Sequence, residues 1–146
     1  MNEDLRELLE CLTSHGVEFL VIGAHAVAFC ARPRMTEDIN LWVGKAEQNA
    51  NRLKFSLEEF GAPIGPEGAR RFLENDRQMI RLGVPPNQVD LLNFGGSHPF
   101  DAVWDKRVSG ELDGIEVQFP SNADLIDMKR VAGRAKDLAD IESLTD

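Results

Sequence analysis

The chain has 146 residues, of which 42% are hydrophobic and 28% charged, and its formal net charge is −9. This length predicts one domain spanning residues 1–146, and the composition is that of a folded globular chain. No apolar run approaches the about 18 residues of a membrane span, and the negative charge disfavours binding to long nucleic acid.

The first half of the chain alternates helical and extended patterns. Four leucines between residues 5 and 12 recur at the spacing of one helix face, which predicts an amphipathic helix over residues 2–15 that ends near Gly16. The apolar run 18–22 predicts a buried strand that Gly23 breaks. A small-residue helix over 25–31, a strand over 39–43 and a helix over 46–60 that closes at Gly61 follow.

The second half contains a hairpin and ends in a helical stretch. Residues 61–68 predict a loop followed by a short helix, and two strands are predicted over 78–82 and 89–94. A helix over 99–106 precedes strands 108–112 and 115–119, which flank the turn dipeptide Asp113-Gly114. Ser121 is suited to cap a final helix over 122–144 that is interrupted at Gly133. This order predicts an α/β (α+β) fold with a mixed β-sheet flanked by helices and a C-terminal helical segment.

The most informative stretch joins a strand, a glycine, a short helix and a strand that starts with an acid. Asp38 and Asn40 are two residues apart on that strand, so their side chains are expected on one face, roughly 7 Å apart along it. Asp90 lies in a later apolar strand, where a carboxylate is costly unless it has a partner. Three such groups on one sheet face would suit a divalent ion and a triphosphate.

This pattern resembles the DNA-polymerase-β-like nucleotidyltransferase superfamily. It is most similar to small bacterial members, the abortive-infection toxin-like and minimal nucleotidyltransferases. The similar positions extend over nearly the whole chain: Gly23, Ala26, Val27, Pro33, Arg34, Thr36, Asp38, Ile39, Leu41, Trp42, Val43, Asp90, Leu91, Leu92, Lys129, Ala132, Arg134, Lys136, Asp137 and Asp140. The chain departs from the pattern at three places: Ala24 replaces a second glycine, Asn40 replaces the second acid, and Cys30-Ala31 replaces a histidine.

The resemblance implies a nucleotidyltransferase fold that uses a nucleoside triphosphate as substrate and Mg²⁺ or Mn²⁺ as cofactor. It implies that Asp38, Asn40 and Asp90 are the catalytic and metal-binding residues. Asn40 offers a carbonyl oxygen but no negative charge, and Mg²⁺ prefers carboxylates. The phosphate- or nucleotide-binding residues implied by the same resemblance are Gly23, Ala24, Arg34, Thr36, Lys129 and Lys136.

Most of these residues also have a structural alternative: Asp38 suits a cap between helix and strand, and Asn40 suits a relic polar position. Gly23 and Ala24 suit an ordinary strand-to-helix turn, and Asp90 suits an ion pair with an arginine at the edge of the core. Arg34 suits a solvated loop, and Lys129 and Lys136 suit a helix face of surface ion pairs. The two cysteines, Cys11 and Cys30, are expected to be reduced and packed.

Three functions follow from these observations. The first is transfer of a nucleotidyl group to a hydroxyl of RNA, protein or a small molecule, although the acidic charge does not point to RNA. The second is a catalytically weakened protein that acts as a binding or regulatory partner, for example of a toxin or antitoxin. The third is an acidic interaction domain whose motif likeness is accidental. The acidic start of the chain shows no secretory signal, so a cytoplasmic location without membrane attachment is expected.

Overall fold

The computed structural model of the protein describes residues 3–23, 38–84, 88–112 and 114–133, with Asp38 and Ala132 described by their backbone only. The helices of these ranges are α1 (Glu3–Ser14), α2 (Glu47–Phe60), α3 (Gly65–Glu74), α4 (Phe100–Asp105) and α5 (Asn122–Ala132). The strands are β1 (Phe19–Ile22), β2 (Asp38–Val43), β3 (Met79–Leu82), β4 (Gln88–Leu92), β5 (Val108–Leu112) and β6 (Ile115–Phe119).

Most of the predicted elements are confirmed within a residue or two of their ends. The hairpin has the predicted bounds, and Gly114 in its turn has a φ of 83°. One difference is that α3 begins at Gly65, inside the predicted loop. Pro66 stands in its first turn, where backbone N–H groups have no partner within the helix, so proline is well tolerated there. The predicted helix 25–31 and the end of the helix 122–144 lie outside the described residues.

The larger sheet is mixed, as predicted, and has the order β1-β2-β4-β3. Strand β2 runs antiparallel to β1 and parallel to β4, while β3 is antiparallel to β4. Strands β5 and β6 form a separate antiparallel pair. Strands β2 and β4 are far apart in the chain but pair directly. The polar residues of one strand therefore lie beside those of the other.

The two faces of the larger sheet are covered differently. One face, which carries Ile39, Leu41 and Leu91, joins the main core together with leucines of α1 and α2 and with Phe119 of the hairpin. On the other face Leu20, Ile22 and Trp42 form a smaller apolar cluster with Val103 of α4, and further residues of α4 and α5 pack against it. The smaller cluster covers only part of its face, so the polar residues at one end of β2 and β4 lie beside it.

Helix α2 is fastened to the sheet by a buried amide. The side-chain oxygen of Asn49 accepts a hydrogen bond of 2.7 Å from the backbone N–H of Glu18. Its amide nitrogen donates to the backbone carbonyls of Glu18 at 3.1 Å and Gly44 at 2.6 Å. One side chain therefore joins α2 to the start of β1 and to the end of β2.

Cys11 is buried in α1 as a free thiol, which agrees with the expected reduced state, whereas Cys30 lies outside the described residues. Burial raises the pKa of the Cys11 thiol, and the nearby Glu59 raises it further. Across the ranges that the structure describes, no helix has the length and apolar character needed to cross a membrane.

Candidate functional site

A row of four side chains crosses the larger sheet near the end of β1. Ile22 of β1 is the register partner of Asn40, and Asn40 is the partner of Asp90 in the parallel β2–β4 pair. Asp90 is in turn the partner of Arg81 on β3. Register partners in neighbouring strands project to the same face, so the structure brings Asn40, Asp90 and Arg81 together in adjacent positions.

The carboxylate of Asp90 is held by donors from the protein. The Arg81 guanidinium donates from Nε to Oδ1 at 2.9 Å and from Nη2 to Oδ2 at 3.4 Å. The side-chain amide of Gln88 lies 3.3 Å from both oxygens. The Asp90 side chain is only 11% exposed, whereas that of Arg81 is 53% exposed. A largely buried charge is thus compensated by a forked ion pair and an amide.

Gly23 lies directly against the Asn40 side chain. Its φ of 74° is in the left-handed region, which glycine adopts at little cost. A β-carbon added at this position would stand 2.9 Å from Nδ2 of Asn40. The glycine at the end of β1 therefore makes the turn and also leaves room for the Asn40 amide.

Asp38 opens β2 two residues before Asn40, and its backbone is the register partner of Gln88. Its carboxylate lies outside the described atoms. Within the described residues no group of three or more His, Cys, Asp or Glu side chains is placed to hold a metal ion. The possible metal ligands among the described side chains here are the Asp90 carboxylate, which already accepts hydrogen bonds, and the neutral amides of Asn40 and Gln88. This set fits a hard divalent cation only if Arg81 or Gln88 moves.

Lys129 is buried in α5, on an element distant in sequence from the strand row. Its neighbour Met128 packs against the smaller apolar cluster, whereas Leu125 of the same helix belongs to the main core, so α5 contacts both clusters. The other predicted phosphate-binding residues lie outside the described part of the chain; they are Ala24, Arg34, Thr36 and Lys136.

Sequence reasoning missed Arg81 and Gln88 as individual residues. It allowed an arginine partner for Asp90 as an alternative, and Arg81 is an arginine that makes this contact. The signal was present, because Arg81 interrupts the apolar run Ile80-Arg81-Leu82 and Gln88 precedes Asp90 by two residues. A polar residue inside a short apolar strand is a candidate partner for another such residue.

A cavity of about 500 Å³ opens at the opposite end of the sheet, where β2 and β4 end. Its wall includes Trp42 and Phe100, whose rings meet edge to face at 5.5 Å between centroids. The ring of Trp42 lies so close to Gly95 that a β-carbon there would stand 2.4 Å from it. Neither Asn40 nor Asp90 lines this cavity, so it is separate from the polar row that Asn40, Asp90 and Arg81 form.

The fold matches a solved structure. A crystal structure of an antigenic nucleotidyltransferase-like protein from Paracoccidioides brasiliensis superposes with a TM-score of 0.54 at 18% sequence identity. The match covers 94% of this chain and 71% of that chain. No protein-family model and no curated protein matches the sequence. The protein therefore has a nucleotidyltransferase-like fold, as predicted.

Proposed function

We propose that the protein binds a nucleoside triphosphate with Mg²⁺ or Mn²⁺ and transfers a nucleotidyl group to a hydroxyl of RNA, protein or a small molecule. The observation that carries this proposal is the β2–β4 register, which sets Asn40 beside Asp90 next to the glycine turn at Gly23. The nucleotidyltransferase-like fold supports it. The sequence resemblance favours a small bacterial enzyme of the abortive-infection type with a weakened second metal ligand.

In this proposal each candidate residue has a separate role. Asp38 is a ligand of the metal, Asn40 is a weak neutral ligand, and Asp90 is either a further ligand or the base. Gly23 and Ala24 are assigned to the phosphates, with Arg34, Thr36, Lys129 and Lys136 as further contacts. When bound, the metal supplies positive charge against the phosphates. The acceptor hydroxyl attacks the α-phosphorus, pyrophosphate leaves, and the proton of the hydroxyl passes to a base such as Asp90 or to water.

A second candidate function is a catalytically weakened protein that binds a toxin or antitoxin. Two observations favour it. Both carboxylate oxygens of Asp90 accept hydrogen bonds from the protein, and Asn40 adds no negative charge beside them. A hard divalent cation gains less at such a site than at a cluster of free carboxylates.

Calorimetric titration with ATP tests the binding step, once with Mg²⁺ and once with a chelator. We expect weak binding that requires the metal, with a dissociation constant of about 0.1–1 mM, because the site has fewer free carboxylates than two-metal sites use. Transfer of label from α-labelled nucleotides to RNA, protein and small-molecule acceptors tests the second step. Folded protein that binds no nucleotide at millimolar concentration would leave only the second candidate.

The substitution Asn40→Asp separates the two candidates. It places a second carboxylate beside Asp90, so the metal-free variant should lose about 1 kcal/mol of stability by repulsion. It should gain a larger Mg²⁺-induced rise in melting temperature than the parent, and a transfer rate higher by about tenfold to a thousandfold. The measurements are melting with and without Mg²⁺ and the labelled transfer assay.

Asn51→Asp is the matched control, because Asn51 is exposed on α2 and the change adds the same charge away from the polar row. This control should keep the parent's response to Mg²⁺. An equal Mg²⁺ shift in the Asn40 and Asn51 variants would show that position 40 does not line a metal site.

A further inference from the structure

The forked contact between Arg81 and Asp90 uses the oxygens that a metal ion would need. Nε and Nη2 of Arg81 reach the two carboxylate oxygens at 2.9 and 3.4 Å, and the amide of Gln88 lies 3.3 Å from each. A divalent cation would approach the same oxygens at about 2.0–2.1 Å in the case of Mg²⁺. The guanidinium and the cation repel each other at such distances. The two therefore compete for one carboxylate.

We propose that Arg81 is a positioning residue that holds Asp90 in the metal-free protein, competes with the divalent cation for it and so sets the metal affinity of the site. This inference rests on the proposed function, because it assumes that a cation binds at Asp90. It goes beyond that function by identifying the Arg81 guanidinium as a charged group that competes with the metal, which the resemblance did not suggest.

The burial of the two partners decides which one gives way. The Asp90 side chain is 11% exposed and is fixed inside β4, a central strand of the sheet. The Arg81 side chain is 53% exposed and belongs to β3, which ends the sheet order in the described part of the chain. A half-exposed arginine can turn into water at small cost, since its charge remains solvated. Metal binding thus displaces Arg81 while Asp90 stays in place.

Titration of the full chain with Mn²⁺ alone tests this competition, with free Mn²⁺ followed by electron paramagnetic resonance. We expect Arg81→Gln to bind Mn²⁺ about threefold to tenfold more tightly than the parent, the range that loss of one half-exposed ion pair allows. Arg6→Gln is the matched control. It removes the same charge and a surface ion pair with Glu10, but on α1, which packs on the opposite face of the sheet. This control should leave the affinity unchanged.

Two more variants keep the test decisive if Arg81→Gln folds poorly. Arg81→Lys retains the charge but loses the fork, so its Mn²⁺ affinity should lie between those of the parent and Arg81→Gln. In the double variant Arg81→Gln/Asp90→Asn the gain should vanish, because the carboxylate for which the two cations compete is gone.

The outcomes distinguish this inference from the proposed function. Binding by Arg81→Gln but not by the parent would support the competition and show that the parent's site is closed to metal. Parent binding that Arg81→Gln leaves unchanged would overturn the role of Arg81 and leave the proposed function standing. Absence of Mn²⁺ binding in the parent and in every Arg81 variant would overturn both.

Discussion

Asn40, Asp90 and Arg81 form a row whose formal charges cancel. Asn40 is neutral, and the negative charge of Asp90 is met by the guanidinium 2.9 Å away. A row with a second carboxylate in place of the amide would carry uncompensated charge and would depend more on a bound cation. Within the row, the charges of Asp90 and Arg81 balance each other without a bound cation.

Gly23 offers a test of this row at a single residue. Gly23→Ala should lower the free energy of unfolding by about 1–2 kcal/mol, because alanine is strained at a positive φ and its β-carbon meets the Asn40 amide. It should also weaken nucleotide binding, since the amide must move. Chemical denaturation and ATP calorimetry are the measurements.

Gly61→Ala is the control for that substitution. Gly61 has a φ of 100° at the end of α2, and a β-carbon there would meet no atom within 4 Å. It should therefore show the backbone strain without the loss of nucleotide binding. Equal binding losses in the two variants would mean that the contact between Gly23 and Asn40 has no part in the site.

At the scale of elements, single polar side chains fix how helices meet the sheet. Asn49 connects α2 with β1 and β2 through three hydrogen bonds to backbone groups. Ser121 caps α5 by accepting a hydrogen bond from the backbone N–H of Asp124 at 3.2 Å. The Asn49 contact also bears on the polar row, because Gly44, whose carbonyl Asn49 binds, directly follows β2, the strand that carries Asn40.

Asn49→Ala should destabilise the protein by about 2–3 kcal/mol, because the Glu18 N–H and the carbonyl of buried Gly44 lose the Asn49 amide as hydrogen-bond partner. Asn51→Ala on the same helix is the control, and its exposed side chain predicts a change within about 0.5 kcal/mol. Urea unfolding of both variants is the measurement. Similar stabilities of the two would contradict the role given to the Asn49 amide.

At the scale of the whole molecule, the net charge of −9 produces self-repulsion in the compact state. The protein has nevertheless several ion pairs at its surface, such as Lys45 with Asp76 at 2.9 Å. That contact lowers the pKa of Asp76 through the hydrogen bond and then the charge of Lys45. Exposed pairs of this kind contribute little to stability. The excess of negative charge therefore determines how the stability of the protein responds to salt.

We therefore expect the melting temperature to rise by about 2–5 °C as ionic strength increases from about 0.01 to 0.15 M, because salt screens the repulsion. Calorimetric melting in NaCl and in KCl is the measurement, and equal rises in both separate screening from binding of a particular ion. A fall in melting temperature with salt would show that attractive ion pairs outweigh the repulsion.

Local patterns in the sequence were sufficient for most of the described elements. The leucine spacing of α1, the Asp113-Gly114 turn and the serine before α5 act through neighbouring residues, so their outcomes could be read directly from the chain. The start of α3 was placed too late because its glycines suggested a loop, whereas Pro66 favours a first helical turn. The mixed sheet and its flanking helices also followed from the order of these patterns.

Tertiary structure alone decided which polar residues meet. Strand parity allowed Asp38 and Asn40 to share a face, but only the pairing of β2 with β4 set Asn40 beside Asp90. Only the pairing of β3 with β4 identified Arg81 as the partner of that carboxylate. Strand register depends on contacts between distant segments, and a slip of one residue would turn each side chain to the other face. The sequence thus determines which polar residues are available, whereas the pairing of the strands determines that their charges balance within one row.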